Sequence, residues 1–315
     1  MNRVCEILKI EKPVIQAPMA WITSPELVAA VSNAGGLGVL GTSAGFENLV
    51  STVEDTVEEM RKIIRKTKEL TDNPFGMNIF PSASDPYGFS KATIELCKEE
   101  NVMILVSAGN IAPEEYKQWK ADGFTIIARE MNPTVRGAIE AEKAGADIIV
   151  ATGCDEGGTM PALTSGTTAV VALLADAVNI PVLAAGGIVN EKLAKASAIV
   201  GAEGAFAGTR FILSKECRAA QATKDDIMAT HPDDYIVFTQ MNGMARTRTT
   251  PHKIGQEALE ENKKGNMNPN PGSFYDGMLK GGLDAGSITV ANVTSLIKSI
   301  DSCKEIVDEL AKAYS

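Results

Sequence analysis

The sequence predicts an α/β fold, a TIM (β/α)8 barrel with a mainly helical insertion after its eighth strand. Three observations lead there. Eight short apolar runs, each bounded by Gly, Pro or Asn, recur through the first two thirds of the chain, and the stretches between them carry helical periodicity. An open dinucleotide-binding sheet would need a GxGxxG turn followed about 20 residues later by an acidic ribose ligand, and the chain has no such fingerprint. Strand followed by helix, repeated to eight strands, is the pattern of a closed barrel.

In chain order the apolar runs cover residues 14–19, 37–42, 75–80, 102–108, 125–129, 147–152, 181–185 and 205–209. Helical stretches at 24–34, 49–70, 91–100, 113–121, 133–144, 167–178 and 191–200 alternate with them. Ser24 before Pro25 and Asn132 before Pro133 read as caps followed by proline at the first helical position, and Gly35 and Gly145 read as stops. Beyond residue 213 the alternation ends. Residues 214–285 read as helices and loops, with GNMNPNPG at 265–272 the most linker-like stretch, and 287–313 returns to a helical pattern that would supply the barrel's eighth helix. The expected organisation is therefore a barrel made of residues 1–213 and 286–315. Residues 214–285 form a lid over the mouth, where barrel enzymes keep their active sites.

Charge narrows the partners. Lys and Arg total 30 against 40 Asp and Glu, a net charge of −10, which argues against nucleic acid and against an anionic membrane surface. No apolar run approaches the roughly 18 residues of a membrane span, and the first residues alternate charged with apolar side chains rather than forming an export signal. The 5 cysteines are odd in number, scattered and without a CxxC pair, so neither a disulfide framework nor structural zinc is expected; the expected compartment is the cytoplasm. No metal site is expected, and a small-molecule or acyl-thioester substrate is.

Polar and glycine residues gather at the carboxyl ends of the strands. The sixth is followed by Thr152-Gly153-Cys154-Asp155-Glu156-Gly157-Gly158-Thr159, the seventh by Ala184-Ala185-Gly186-Gly187-Ile188, and the eighth by Ala207-Gly208-Thr209-Arg210-Phe211. Small residues there let backbone N–H groups approach a phosphate, and two such clusters after consecutive late strands favour that use, although each alone also reads as a tight turn. Asn78 has the groups to bind a planar heterocycle and equally suits a turn; Ser107-Ala108-Gly109-Asn110 is similar. Cys154 reads as a structural thiol because Asp155 and Glu156 oppose a thiolate. Those two acids, being adjacent, point apart on an extended chain. Trp21 either borders the pocket or packs as an ordinary aromatic.

Taken together, Gln16-Ala17-Pro18-Met19-Ala20, Ser32-Asn33-Ala34-Gly35-Gly36-Leu37-Gly38, Pro74-Phe75-Gly76-Met77-Asn78, Ser107-Ala108-Gly109-Asn110, Glu156-Gly157-Gly158, Ala184-Ala185-Gly186-Gly187-Ile188 and Gly208-Thr209-Arg210-Phe211, with Gly286-Ser287 near the end, resemble the nitronate monooxygenase family. That family includes the type II flavin-dependent enoyl-ACP reductase and some NAD(P)H:quinone reductases. The resemblance implies noncovalent FMN at the barrel mouth and NADH or NADPH as electron donor. Pro18, Met19 and Asn78 would lie along the flavin ring, with Ser107 and Glu156 near its polar edge or ribityl chain. Gly157, Gly158, Ala185, Gly186, Gly187, Gly208 and Thr209 would surround the phosphate end. A homodimer is the corresponding expectation.

One position departs from the pattern. Many members carry a histidine after Glu-Gly-Gly, where this chain has Thr159; its only 2 histidines, His231 and His252, fall in the lid. Threonine cannot act as a base near neutral pH, which puts histidine-dependent nitronate oxidation in doubt. Thr159, a backbone N–H after the sixth strand, or His252 folded down from the lid is left as a candidate donor to a developing oxyanion. His252, Arg246, Arg248 and Lys253 form either a solvated basic face or a contact for nicotinamide phosphates or an acidic substrate. The expected activity is reduction of an activated alkene or a quinone by an FMN-dependent NAD(P)H oxidoreductase. The alternatives are a nitronate monooxygenase using another base, a flavin-free barrel binding a phosphorylated metabolite, and a non-catalytic flavin protein.

Overall fold

The computed structural model describes residues 2–314. Eight parallel strands, β1 (Val14–Gln16), β2 (Gly38–Leu40), β3 (Phe75–Ile79), β4 (Ile104–Gly109), β5 (Thr125–Glu130), β6 (Ile148–Thr152), β8 (Val182–Ala185) and β9 (Gly204–Ala207), pair in chain order. β9 pairs back onto β1, and an Ile15–Leu37 bridge joins β1 to β2, so the sheet closes into the expected barrel. Most of these strands are buried at every position, as apolar runs packed on two faces must be. The short strand β7 (Gly158–Pro161) branches from the loop after β6 and stays out of the barrel.

The helices α2 (Pro25–Asn33), α3 (Val53–Leu70), α4 (Phe89–Glu99), α5 (Pro113–Ala121), α6 (Val135–Ala144), α7 (Thr167–Ala177) and α8 (Glu191–Ile199) follow the strands as the periodicity predicts, while α1 (Arg3–Leu8) precedes them. Val4, Cys5 and Leu8 of α1 join Ile15, Val106, Val150 and Phe206 in the barrel's interior cluster, so α1 plugs the lower end and leaves the upper end for a cavity. The Ser24 hydroxyl accepts the Leu27 N–H with Pro25 at the first position, as read. Asn132 does not cap α6. Thr134 does, accepting the Gly137 N–H, and Asn132 instead joins the Ala162 N–H to the Met244 carbonyl.

Residues 214–285 hold α10 (Gln221–Ala229) and α11 (Lys253–Lys263), but also a hairpin of β10 (Ile236–Gln240) and β11 (Ala245–Thr249) that pairs antiparallel with β7. The expected mainly helical insertion thus contains a hairpin beside its helices. Its alternation was hidden because the buried positions of the hairpin include Gln240, Thr247 and Thr249, polar residues that a hydrophobic pattern passes over. The helix expected over 287–313 is confined to α12 (Cys303–Ala311), opened by a Ser302–Glu305 capping box and packed on α2 and α8. Residues 288–291 instead cross the mouth without helix, and a turn at 292–293 follows. The Thr250 N–H donates to the Ile288 carbonyl, the Ala291 N–H to the Thr209 hydroxyl and the Asn292 N–H to the Asp155 carbonyl. A four-residue helix, α9 (Thr209–Ile212), follows β9. Among the described residues no helix is long and apolar enough to cross a membrane.

Candidate active site

A cavity of about 390 Å³ opens at the carboxyl ends of the barrel strands, within the range of small-molecule sites. Pro18, Met19 and Asn78 line one side, and Glu156, Gly157, Gly158 and Thr159 line another. Ala185, Gly186, Gly187, Gly208 and Thr209 complete the wall after β8 and β9. Each is fixed locally. The Met19 N–H donates to the Thr23 hydroxyl at 2.9 Å, and the Asn78 amide donates to the Val106 carbonyl at 3.0 Å. Ser107 is buried behind this wall; its neighbours Ala108 and Gly109 face the cavity instead.

The turn after β8 is built for close approach. Gly186 (φ +102°) and Gly187 (φ +72°) adopt left-handed backbone, and a Cβ on Gly186 would stand 2.7 Å from the Thr167 hydroxyl and 3.0 Å from the Glu156 nitrogen. Asp155 ties this turn to its surroundings. One carboxylate oxygen accepts the Thr167 N–H at 2.6 Å at the start of α7, and the other accepts the Asn292 side-chain amide at 2.9 Å. Among the described residues Gly187 and Gly208 donate to no main-chain acceptor, and both line the cavity. This arrangement suits a phosphate held by backbone dipoles.

Glu156 turns the other way, as adjacent acids on an extended chain should. Its carboxylate takes two contacts from Arg129 Nη2, at 2.9 and 3.0 Å, and both side chains line the cavity. Burial pushes the Glu156 carboxyl up to about 7, against the opposing pull of Arg129 and Arg248. Arg129 ends an apolar run without belonging to any motif, so sequence reading passed over it.

The basic cluster in the lid has other work. Arg248 donates to the Glu156 and Cys154 carbonyls at 2.6 and 3.0 Å and so holds the hairpin to the β6–β7 loop, while Arg246 donates to the carbonyls of Pro161, at the end of β7, and of Leu163 just beyond it. Burial lowers the Arg248 pKa. Lys253 is exposed near Glu257. His252 is outside the cavity wall, its Nε2 lying 2.7 Å from Asp226 on α10. Trp21 does not line the cavity either; it meets Tyr275 edge-on at 4.8 Å between ring centroids. Cys154 is half-buried, with its thiol on the Thr164 carbonyl.

The model of the nitronate monooxygenase family matches residues 1–313 of this chain. The chain belongs to that family. A probable nitronate monooxygenase of Staphylococcus aureus is 32% identical over 288 residues, covering 77% of this chain and 76% of its own length. A bicyclic carboxyl-CoA dehydrogenase of Rhodococcus jostii is 34% identical over 253 residues, covering 79% of this chain; the match spans only 64% of that enzyme. Among solved structures, FabK of Thermotoga maritima superposes with a TM-score of 0.86 at 29% identity, over 100% of this chain and 96% of its own. A nitroalkane oxidase from Streptomyces ansochromogenes, 21% identical with a TM-score of 0.77 and covering 99% and 98% of the two chains, shares the fold.

Nitronate monooxygenases and FabK are FMN-dependent, and this family member is a flavin-dependent oxidoreductase. The residues present fit the cofactor. The glycine turn bars any Cβ on Gly186, two turn amides have no main-chain acceptor, and the cavity has the size class of a cofactor site. In this family member Arg129, Thr289 and Ala291 line the site although no sequence motif marked them; only the Gly286-Ser287 pair pointed toward the last two.

Proposed function

We propose that the chain is an FMN-dependent NAD(P)H oxidoreductase that reduces an activated alkene of the enoyl-thioester kind, or a quinone. One observation carries this reading: Thr159, at the position after Glu-Gly-Gly, lines the cavity, and no imidazole does. Removing the α-proton of a nitroalkane needs a free base, and the carboxylate in the cavity wall, Glu156, is held by Arg129, whereas receiving a hydride needs positioning and a donor for the oxygen that gains charge.

The flavin, when bound, supplies two-electron transfer to and from the substrate. The protein's share is binding, orientation and charge. Gly187, Gly208 and the Thr209 hydroxyl would hold the phosphate, and Pro18, Met19 and Asn78 would flank the ring. Thr159 offers a hydroxyl to the substrate's carbonyl oxygen. Phe80, Met131, Met241, Phe274 and Met278 line the cavity with flexible and aromatic apolar surface, which suits an acyl chain and excludes water. The names of two similar proteins support a thioester substrate: one is a carboxyl-CoA dehydrogenase, the other FabK.

The test is stopped-flow reduction of the bound flavin by NADH and NADPH, followed by reoxidation with enoyl thioesters and quinones under exclusion of oxygen. Reoxidation by one of these acceptors much faster than by oxygen is expected. Acceptors no better than oxygen, or rapid oxygen uptake on adding propionate 3-nitronate without NAD(P)H, would overturn the reading.

A further inference from the structure

Arg129 is, among the described residues, the cation that lines the cavity. It closes β5 with its side chain mostly buried, 18% exposed, and Glu156, 11% exposed, holds it from across the β6–β7 loop. Both carboxylate oxygens fall on the same nitrogen, Nη2, while Nε and Nη1 meet no protein acceptor among the described residues. A guanidinium satisfied as an ion pair would normally present two nitrogens to its carboxylate. Here the carboxylate holds one end and leaves the rest of the fork available inside the cavity.

The pair is fixed from outside. Arg248 donates to the Glu156 carbonyl, so the hairpin of the lid sets where the Glu156 backbone stands, and Arg248's own charge is spent on carbonyls. Around the barrel β5 stands two strands from β8 and three from β9, and the turns after those strands offer backbone amides rather than cations. A fixed positive charge is therefore supplied at the wall formed by β5 and the β6–β7 loop.

We propose that Arg129, positioned by Glu156, is the counter-charge for the flavin ring when it takes up electrons. The inference rests on the FMN-dependent reading above. When a nicotinamide gives up hydride, it leaves as the oxidised cation, and the ring gains two electrons, one hydrogen and one negative charge. A buried guanidinium with open donors lowers the energy of that anion far more than solvent-exposed charge would, because the site is largely desolvated. Arg129 touches the cofactor in this account; Glu156 is a positioning residue.

The test needs no acceptor substrate. The two-electron midpoint potential of the bound FMN is measured against a redox dye, and sulfite, which forms an anionic adduct with the ring, is titrated by loss of the yellow absorbance. Arg129→Met is expected to weaken sulfite binding at least tenfold and to lower the potential by about 30 mV, the equivalent of tenfold for two electrons. Arg129→Lys recovers part of both, and Glu156→Gln lies between wild type and Arg129→Met. The double variant Arg129→Met/Glu156→Gln leaves no unpaired buried carboxylate, so it guards against a folding failure and should match Arg129→Met. Sulfite affinity and potential within twofold and a few millivolts of wild type in the double variant would overturn the proposal. So would complete loss of FMN from both Arg129 variants, which would make Arg129 a residue of cofactor capture. If no nicotinamide reduces the wild-type flavin, the proposed function falls, while the sulfite series still decides the role of Arg129.

Discussion

Gly208→Ala separates a glycine kept for a ligand from one kept for a turn. Gly208 has φ −104° and ψ −70°, within reach of any L-residue, and a Cβ there would meet only Ala17 Cβ at 3.7 Å and the Met19 sulfur at 3.8 Å. Those are ordinary contacts, so the fold itself tolerates alanine, and the change in apoprotein stability should stay within about 0.5 kcal/mol. The new methyl would stand in the cavity wall beside an N–H that has no main-chain acceptor. If that amide donates to the FMN phosphate, the methyl obstructs the approach and FMN affinity falls at least tenfold, about 1.4 kcal/mol. Gly186→Ala is the contrasting case. Its φ of +102° and the 2.7 Å approach to the Thr167 hydroxyl damage the fold itself, by about 1–3 kcal/mol, whatever binds. FMN titration of the apoproteins by fluorescence quenching, with urea unfolding alongside, reads both quantities. An unchanged FMN affinity in Gly208→Ala would refute the assignment of this turn to the phosphate.

Three further outcomes follow from the same geometry. Arg248→Met removes two charged hydrogen bonds to the Cys154 and Glu156 carbonyls and should lower apoprotein stability by about 2–3 kcal/mol, read as a lower urea midpoint; no change would mean the hairpin is held by its strand pairing alone. Glu156, pushed up from 4.5 to about 7, binds a proton in the native state across a range where the unfolded chain has lost it. Its contribution is therefore fully present below pH 4.5 and lost as pH rises through 7. Relative to Glu156→Gln, wild-type apoprotein should lose stability on the order of 3 kcal/mol between those limits, and parallel pH profiles would refute the shift. Burial raises the thiol pKa of Cys5, Cys97, Cys217 and Cys303, with Cys97 at about 12, and Cys154 alone is half-exposed. A thiol reagent should label one cysteine in the native protein and five after denaturation.

The barrel was legible because its strands are buried on both faces and so read as unbroken apolar runs between turn residues. The glycine turns were legible for a related reason: a position that excludes a Cβ leaves a residue type behind as its record. The lid hairpin left no such record, since Gln240 and Thr247 satisfy each other in the interior and erase the apolar alternation. Residues 288–293 were read as part of a helical pattern over 287–313, and only tertiary hydrogen bonds to Thr209, Asp155 and Thr250 reveal them as a non-helical strap across the mouth. Asn132 was misplaced for the same reason: the choice between it and Thr134 as the cap of α6 is settled by what Asn132 bonds in a loop 30 residues away.

The clustering of Arg246, Arg248 and His252 in sequence read as either a solvated basic face or a contact for phosphates, and the structure uses the same groups to build. Arg246 and Arg248 are consumed by loop carbonyls, and His252 faces Asp226. What remains for anions is a division of labour. Backbone amides at Gly187 and Gly208 suit a permanent charge such as a phosphate, because a dipole cradle binds without adding net charge to the site. A charge that comes and goes during turnover is better met by a full cation, held in place so that nothing reorganises when the anion forms. Arg129 meets both conditions: its partner Glu156 fixes it, and part of its donor fork stays open. The loss of the histidine at Thr159 then removes a proton acceptor from the cavity without removing its electrostatics. Electron transfer keeps the groups it needs, whereas the carboxylate left for carbon acid deprotonation, Glu156, is tied to Arg129.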